Sequence, residues 1–227
     1  MLRVLCADLE RELVAARDLA IVTLRICHST YQLAIPVIGR FMQAQPGTEI
    51  EARAKASADV LSGIEAGRLD IGFITAREVP DGMQGMKLVK TPVVLVARPD
   101  HPLAIKGHAD WSEIAQFSLI QREKGSGTRQ IFERAANLAQ IEPDTVLALG
   151  PWRSIVTMVR AGIGLGVAFA AELSATDELV PVRIADGRLI ARHFVVCQKH
   201  MAHVAVVEAF LAKTCVQGNG SATTARI

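Results

Sequence analysis

The chain has 227 residues, of which half are hydrophobic and 21% are charged, and its formal net charge is +2. These values are typical of a globular protein with a sizeable core, and they exclude a disordered or fibrous chain. The net charge is too small to predict nucleic-acid binding across the surface. No uncharged apolar stretch reaches the roughly 20 residues that span a bilayer.

Two further features favour a reduced, cytoplasmic setting. The four cysteines show no C-x-x-C spacing, and two of them lie in apolar runs typical of buried strands. The apolar run at the N-terminus ends at Asp8, which makes it too short for the core of a signal peptide.

Residues 1–20 form a predicted amphipathic helix. Leu2, Leu5, Leu9 and Leu13 recur at steps of three and four residues, and charged residues occupy the other faces. A leucine stripe of this kind needs a partner surface, so the helix either packs on the body of the protein or on a partner chain.

The segment 22–75 alternates between strand and helix patterns. Its predicted strands lie at 22–27, 49–54 and 70–75, with helices between them. A βαβαβ run of this length indicates a parallel sheet, whose ligands bind at the carboxyl ends of the strands. Ser29 and Ser57 both follow strands at that edge.

The same alternation restarts after an extended stretch at 88–98. The predicted strands and helices of this second half lie at 117–120, 130–140, 145–149, 154–161 and 162–169. A strand at 192–198 and a helix at 202–213 complete the pattern. The small, polar residues 216–227 predict a loose tail.

A glycine-rich loop precedes the helix predicted at 130–140. Gly125 and Gly127 permit a sharp turn, and the hydroxyl of Ser126 or Thr128 can cap the helix. The free N–H groups and the positive end of a helix dipole favour an anion. The basic residues beside the loop are Arg122, Lys124 and Arg129. An ordinary helix start explains the same residues equally well.

Catalytic and metal-binding patterns were not found in the sequence, so no enzyme activity, cofactor or metal is predicted. His200 and His203 have a spacing that metal sites use, but no carboxylate precedes them and a solvated face is the preferred interpretation. His28 has no acid placed to orient it as a base. The three glycines of 162–166 are too closely spaced for the dinucleotide-binding fingerprint.

A set of motifs in fixed order resembles the effector-binding domain of LysR-type transcriptional regulators. They are Leu24-Arg25-Ile26 followed by Ser29, Gly67-Arg68-Leu69-Asp70-Ile71-Gly72, Leu95-Val96-Ala97-Arg98-Pro99-Asp100-His101-Pro102-Leu103, Gly125-Ser126-Gly127-Thr128-Arg129 and Val159-Arg160-Ala161-Gly162-Ile163-Gly164. Each motif is weak alone, but the ordered set over residues 22–213 is specific.

This resemblance implies an α/β fold of the type 2 periplasmic-binding-protein kind, in which two Rossmann-like lobes are joined by two crossing strands. It places residues 22–96 and 199–215 in lobe I and residues 97–198 in lobe II. Residues 1–20 become a linker or dimerisation helix, and 216–227 remain a flexible tail.

The resemblance also implies a ligand cleft between the lobes. Its predicted residues are Ser29, Thr30, Ser57, Gly125, Ser126, Gly127, Thr128, Arg129, Trp152 and Arg153. Many relatives carry small polar residues where this chain has Pro151, Trp152 and Arg153. Trp152 is either an aromatic wall or a packing anchor, and Arg153 offers a planar fork for a carboxylate, sulfonate or phosphonate.

The function implied is that of a small-molecule sensor for an anionic effector. Such a domain is expected to form a homodimer or homotetramer, and to contact DNA only through a winged helix-turn-helix that is absent from this chain. A membrane is not an expected partner. The alternatives are a stand-alone solute-binding protein of the same fold and, with less support, a dehydratase-like enzyme.

Overall fold

The computed structural model describes residues 23–214. The helix predicted at 1–20 and the tail predicted at 216–227 lie outside the described residues. Within residues 23–214, no helix combines the length and the apolar character that a bilayer crossing requires.

Ten strands and seven α-helices make up the described part of the chain. The strands are β1 (Thr23–His28), β2 (Glu49–Ala54), β3 (Ile71–Ala76), β4 (Met83–Ala97), β5 (His108–Ala109), β6 (Leu119–Arg122), β7 (Thr145–Leu149), β8 (Leu165–Phe169), β9 (Val180–Ile184) and β10 (Ile190–Gln198). The helices are α1 (Tyr31–Ala44), α2 (Ser57–Glu65), α3 (Pro102–Lys106), α4 (Trp111–Ile114), α5 (Gly127–Leu138), α6 (Trp152–Arg160) and α7 (Ala205–Thr214).

Lobe I is built on a five-stranded arrangement. Strands β2, β1 and β3 are parallel, as the sequence predicts. Strand β10 runs antiparallel between β3 and the first half of β4. The chain therefore returns to lobe I near Ile190, and the predicted boundary at residue 198 falls at the end of a lobe I strand.

Lobe II is built on the second half of β4. That half pairs antiparallel with β8 and β9, and β6 lies parallel between β8 and β7. The short strand β5 extends the sheet on β9. Sequence patterns did not predict β5 or β9, because β5 has two residues and β9 contains Pro181 and Arg183.

The two lobes are joined where β4 passes from one sheet to the other. At this point the amide of Val93 donates a hydrogen bond of 2.9 Å to the carbonyl of Leu189, just before β10 begins. Pro92 is the partner of Ile190 in the register of β4 and β10. The two crossing segments are thus hydrogen-bonded neighbours, and we refer to them together as the hinge.

Helices cover both faces of each sheet. Alternate residues of β4 enter different cores: Val93 and Leu95 pack with Phe132 of α5, whereas Val94 and Val96 pack with Ile155 of α6. This alternation is what the two-residue period of a strand produces when both faces are buried.

In lobe I, α1 and α7 cover one face of the sheet and α2 covers the other. Phe210 of α7 packs against Phe41 of α1 with ring centroids 5.0 Å apart, and it also contacts Phe73 of β3. These contacts tie the last described helix to the first lobe.

Candidate functional site

A cavity of about 450 Å³ lies between the lobes. It opens at the carboxyl ends of β1 and β2 in lobe I and of β6 and β7 in lobe II. We call it the cleft, and the residues that matter below are Ser29, Gln32, Arg122, Trp152, Arg153 and Glu172.

Lobe I contributes Ser29 and Gln32. Strand β1 ends at His28, and the amide of Ser29 donates a hydrogen bond of 2.9 Å to the carbonyl of Phe73, which fixes the turn into α1. The Oγ of Ser29 and both amide atoms of Gln32 are buried without a hydrogen-bond partner among residues 23–214.

Lobe II contributes Trp152 and Arg122. Trp152 opens α6 and is 4% exposed, because its ring packs with Val94 and Val96 of β4. Its Nε1 is buried and finds no partner in the described part of the chain. Arg122 ends β6, and its Nη1 donates to Glu172 Oε1 at 2.7 Å, while its Nε has no partner within residues 23–214.

These unpartnered atoms indicate what the cleft can bind. Buried polar groups in native proteins are nearly always hydrogen-bonded, so four residues with unmet groups around one cavity point to a ligand. Three of the atoms, Arg122 Nε, Trp152 Nε1 and Gln32 Nε2, can only donate. A ligand that satisfies these three atoms therefore presents mainly acceptors, together with one donor for the Oε1 of Gln32, which can only accept.

Three cationic and three acidic side chains line the cleft, so their formal charges balance. Lys55, Arg122 and Arg153 are opposed by Asp59, Glu123 and Glu172. Burial raises the pKa of Glu172 to about 7, against the opposing effect of its partner Arg122. Protonation of Glu172 near neutral pH leaves the cleft with an excess of one positive charge. Because this excess is small, the hydrogen-bond donors determine the choice of ligand more than the net charge does.

The glycine-rich loop brings the lobes into direct contact. The carbonyl of Gly125 accepts a hydrogen bond of 3.2 Å from the amide of Ala58 in α2. Gly125 has φ +86°, which favours glycine, and a Cβ there would lie 3.3 Å from the Cβ of Ala58. Loop and helix α2 thus close one side of the cleft.

Comparison with known protein families gives the chain its classification. The family model for the LysR substrate binding domain matches residues 18–213. The chain belongs to the LysR substrate-binding-domain family. The sequence-based prediction of the family is thereby confirmed.

Solved LysR regulatory domains share the fold. The regulatory domain of Synechocystis CcmR, solved in complex with 2-PG, superposes with a TM-score of 0.77 at 24% identity, over 87% of this chain and 98% of that one. The effector-binding domain of QuiR, in complex with shikimate, gives 0.75 at 15% identity, over 88% and 98%. The predicted two-lobed, type 2 periplasmic-binding-protein fold is confirmed.

Curated relatives of this LysR domain are longer proteins. The phosphonates import ATP-binding protein PhnC of Anaeromyxobacter dehalogenans is 29% identical over 183 residues, which are 77% of this chain and 36% of that protein. The transcriptional regulator CbbR of Rhodospirillum rubrum is 27% identical over 184 residues, 77% of this chain and 61% of that protein.

Three of the ten site residues predicted for the LysR cleft line the cavity, namely Ser29, Trp152 and Arg153. Ser57 lies in the first turn of α2, but its Oγ accepts a hydrogen bond of 3.1 Å from the amide of Thr75. Thr30 is buried at the start of α1, outside the cavity lining.

Residues of the glycine-rich loop are placed differently from the sequence-based prediction. Helix α5 begins at Gly127, three residues earlier than predicted, so Thr128 and Arg129 lie in its first turn. Ser126 occupies the position before the helix without a capping bond from its side chain. Arg129 is held by Glu133 Oε1 at 2.7 Å and by the carbonyl of Arg122 at 3.2 Å.

Gln32 was missed by the sequence analysis. It lies in the first turn of α1, three residues after Ser29, and a helix start after a strand is where this LysR fold places ligand groups. Its spacing from Ser29 was the available signal. No sequence signal pointed to Glu172, because it ends a short 3-10 helix after β8 and meets Arg122 only in the folded chain.

A metal centre is not indicated by the geometry. Among residues 23–214, no three His, Cys, Asp or Glu side chains are grouped so that they could hold a metal ion. His200 and His203 lie in the short 3-10 turn before α7.

Proposed function

We propose that this LysR domain senses a small organic anion in the cleft and converts its binding into a movement of the lobes. The observation that carries the proposal is the convergence of unpartnered donors from Gln32, Arg122 and Trp152 on one interlobe cavity. Because donors come from both lobes, an acceptor-rich ligand stabilises the closed arrangement over an open one.

The comparisons support an anion with a carboxylate or phosphonate group. The relatives include a phosphonates import ATP-binding protein, and similar domains were solved with 2-PG, shikimate and benzoate. Arg153, exposed at the rim of the cleft, supplies a planar fork for such a group. The proposed role is binding and signalling without catalysis.

Relatives named as HTH-type transcriptional regulators support a role in the control of transcription. In that role, a winged helix-turn-helix contacts DNA and the domain described here supplies the effector response. Two buried free cysteines, Cys27 and Cys197, are consistent with action in the cytoplasm.

We also propose that the domain works as a homodimer. Tyr31, Ile35 and Met42 lie on one face of α1 and are between 46% and 50% exposed. An exposed apolar stripe of this kind is unfavourable in water by about 25 cal/mol per Å² and is covered when two copies pair.

Calorimetric titration of the chain tests the proposed effector class. The panel contains phosphonoacetate, benzoate, shikimate and sulfate, together with neutral counterparts such as benzamide. We expect only anions to bind, and Arg153→Ala to weaken the binding about tenfold, since a charged hydrogen bond contributes about 1.5–3 kcal/mol. Binding of neutral compounds alone, or unchanged affinity in the variant, would contradict the proposal.

A further inference from the structure

A second cavity, of about 590 Å³, lies on the hinge side of the molecule. Its walls come from Lys90 and Pro92 of β4, Ile190 and Arg192 of β10, and α5. Both crossing segments and both lobes therefore contribute to it. We call it the hinge cavity, and it shares no lining residue with the cleft.

The lining of the hinge cavity is strongly basic. Five cationic side chains face it, from Arg77, Lys90, Arg134, Arg188 and Arg192, and no acidic residue among residues 23–214 lines it. A cavity wall with a single sign of charge is unusual in a chain whose net charge is only +2. Like charges in a recess repel each other unless a counter-ion occupies it.

Two of the five cations are already engaged. Arg188 makes a two-oxygen contact with Asp186, at 2.8 and 2.6 Å, and Arg192 donates to the carbonyl of Arg77 at 3.1 Å. The side chains of Arg77, Lys90 and Arg134 make no hydrogen bond or ion pair within residues 23–214. Three positive charges are therefore available to a ligand.

The cavity also has an apolar wall. Ile131 and Leu138 of α5 face Pro92 and Ile190 across the recess, and Leu138 is 60% exposed. A hydrated inorganic ion leaves such a wall wet, whereas the carbon skeleton of an organic ligand covers it. The cationic side chains and the apolar wall together favour a small organic molecule with several negative charges.

We infer that the hinge cavity is a second binding site, for a small organic polyanion such as a phosphorylated metabolite or a polycarboxylate. A ligand held there bridges Lys90 and Arg77 of lobe I to Arg134 of lobe II. It therefore acts on the angle between the lobes, independently of the effector in the cleft.

Calorimetric titration with fructose 1,6-bisphosphate and with citrate, at 50 mM and 300 mM salt, tests the inference. We expect both probes to bind the full chain, more weakly at high salt because exposed charges are screened. The double variant Lys90→Gln/Arg134→Gln should lose at least tenfold in affinity. Both residues are exposed and their side chains make no hydrogen bond or ion pair within residues 23–214, so circular dichroism and melting should be unchanged.

A matched control removes the same amount of charge elsewhere. Arg160→Gln/Lys213→Gln takes two cations from exposed or half-buried positions outside both cavities, and it should leave probe binding intact. Trp152→Phe, in the cleft, should also leave it intact, which separates this inference from the function proposed for the cleft.

Four outcomes would overturn the inference. The first is failure of both probes to bind the wild-type chain, and the second is an equal loss of affinity in Lys90→Gln/Arg134→Gln and in the control Arg160→Gln/Lys213→Gln. The third is loss of probe binding in Trp152→Phe but not in the hinge-cavity variant, and the fourth is unchanged affinity in the hinge-cavity variant. Displacement of the probes by a 20-base-pair duplex that binds more tightly through the same residues would assign the surface to nucleic acid instead.

Discussion

The backbone of Gly127, at the start of α5, lies against the carbonyl oxygen of Thr75 at the end of β3. A Cβ on Gly127 would be 1.9 Å from that oxygen, which no real contact allows. The approach of lobe II to lobe I at this point thus depends on the absence of a side chain.

Gly127→Ala should therefore hold the lobes apart. We expect it to lower the free energy of unfolding by about 1–3 kcal/mol and to weaken effector binding, because the two donor sets no longer converge. Gly39→Ala in α1 is the control: a Cβ there meets no atom of residues 23–214 within 4 Å, so stability should be unchanged or rise by up to about 1 kcal/mol. Urea unfolding measures both, and equal effects would contradict the prediction.

Trp152→Phe should weaken effector binding by about tenfold or more. The variant keeps most of the ring packing but removes the Nε1–H, a donor that is unpartnered within residues 23–214. Trp111→Phe is the matched control, since the Nε1 of Trp111 donates to Asp186 at 2.9 Å, in lobe II away from the cleft. Trp111→Phe should lower the free energy of unfolding and leave the affinity for the effector unchanged.

Effector affinity should rise as the pH falls through about 7. Burial raises the pKa of Glu172 to about 7, so below that pH the carboxyl is neutral. The positive charge of Arg122 is then no longer paired with Glu172 and can interact with a bound anion. Above that pH, binding of an anion should draw a proton onto Glu172. Calorimetry at pH 6 and pH 8, in buffers of different ionisation heat, measures both effects.

Glu172→Gln supplies the test of that assignment. The variant should bind the anion with the same affinity at pH 6 and pH 8, and without proton uptake. A pH dependence that survives the substitution would assign it to another group.

Much of the fold and part of the cleft could be predicted from the sequence. The features that could not be predicted have physical causes. The βαβαβ order, the crossing stretch and the motif order predicted two lobes. Ser29 was placed by its position after a strand, and Trp152 by the family resemblance. The local pattern could not show that the Oγ of Ser57 already accepts a hydrogen bond from the amide of Thr75. It also could not show that Arg129 donates a hydrogen bond to Glu133. Such pairings depend on how α2 and α5 dock, which sequence neighbours do not specify.

The fold should lose stability in mild acid through His193. This side chain is 1% exposed and hydrogen-bonded at 3.0 Å to Thr75 and to Thr91, and burial lowers its pKa to about 4. A folded-state pKa below the unfolded value of about 6.5 means that stability is fully present above pH 6.5 and declines as the pH falls towards 4. The free energy of unfolding should fall by about 3 kcal/mol over this pH range.

Urea unfolding between pH 7.5 and pH 4 measures this effect. His193→Gln should flatten the profile, whereas His108→Gln, at an exposed position in β5, should leave it as in the wild type. An unaltered slope in His193→Gln would show that carboxylates dominate the acid response.

The proposed dimer predicts that Ile35→Ser/Met42→Ser shifts the chain towards monomer in sedimentation velocity. Both side chains are about half exposed on α1. Ile105→Ser, which removes a 76% exposed side chain from α3, should not change the assembly state. Identical sedimentation of all three chains would exclude α1 as the interface.

The return of β10 into lobe I bears on how the chain folds during synthesis. Lobe II is one continuous segment, from Val93 to Leu189, and it is complete in sequence before any of β10 has left the ribosome. Lobe I must wait, because β3 and β4 are joined only through β10. Domains usually mature in the order in which they are translated. In this chain the lobe whose synthesis starts first is the lobe that is finished last.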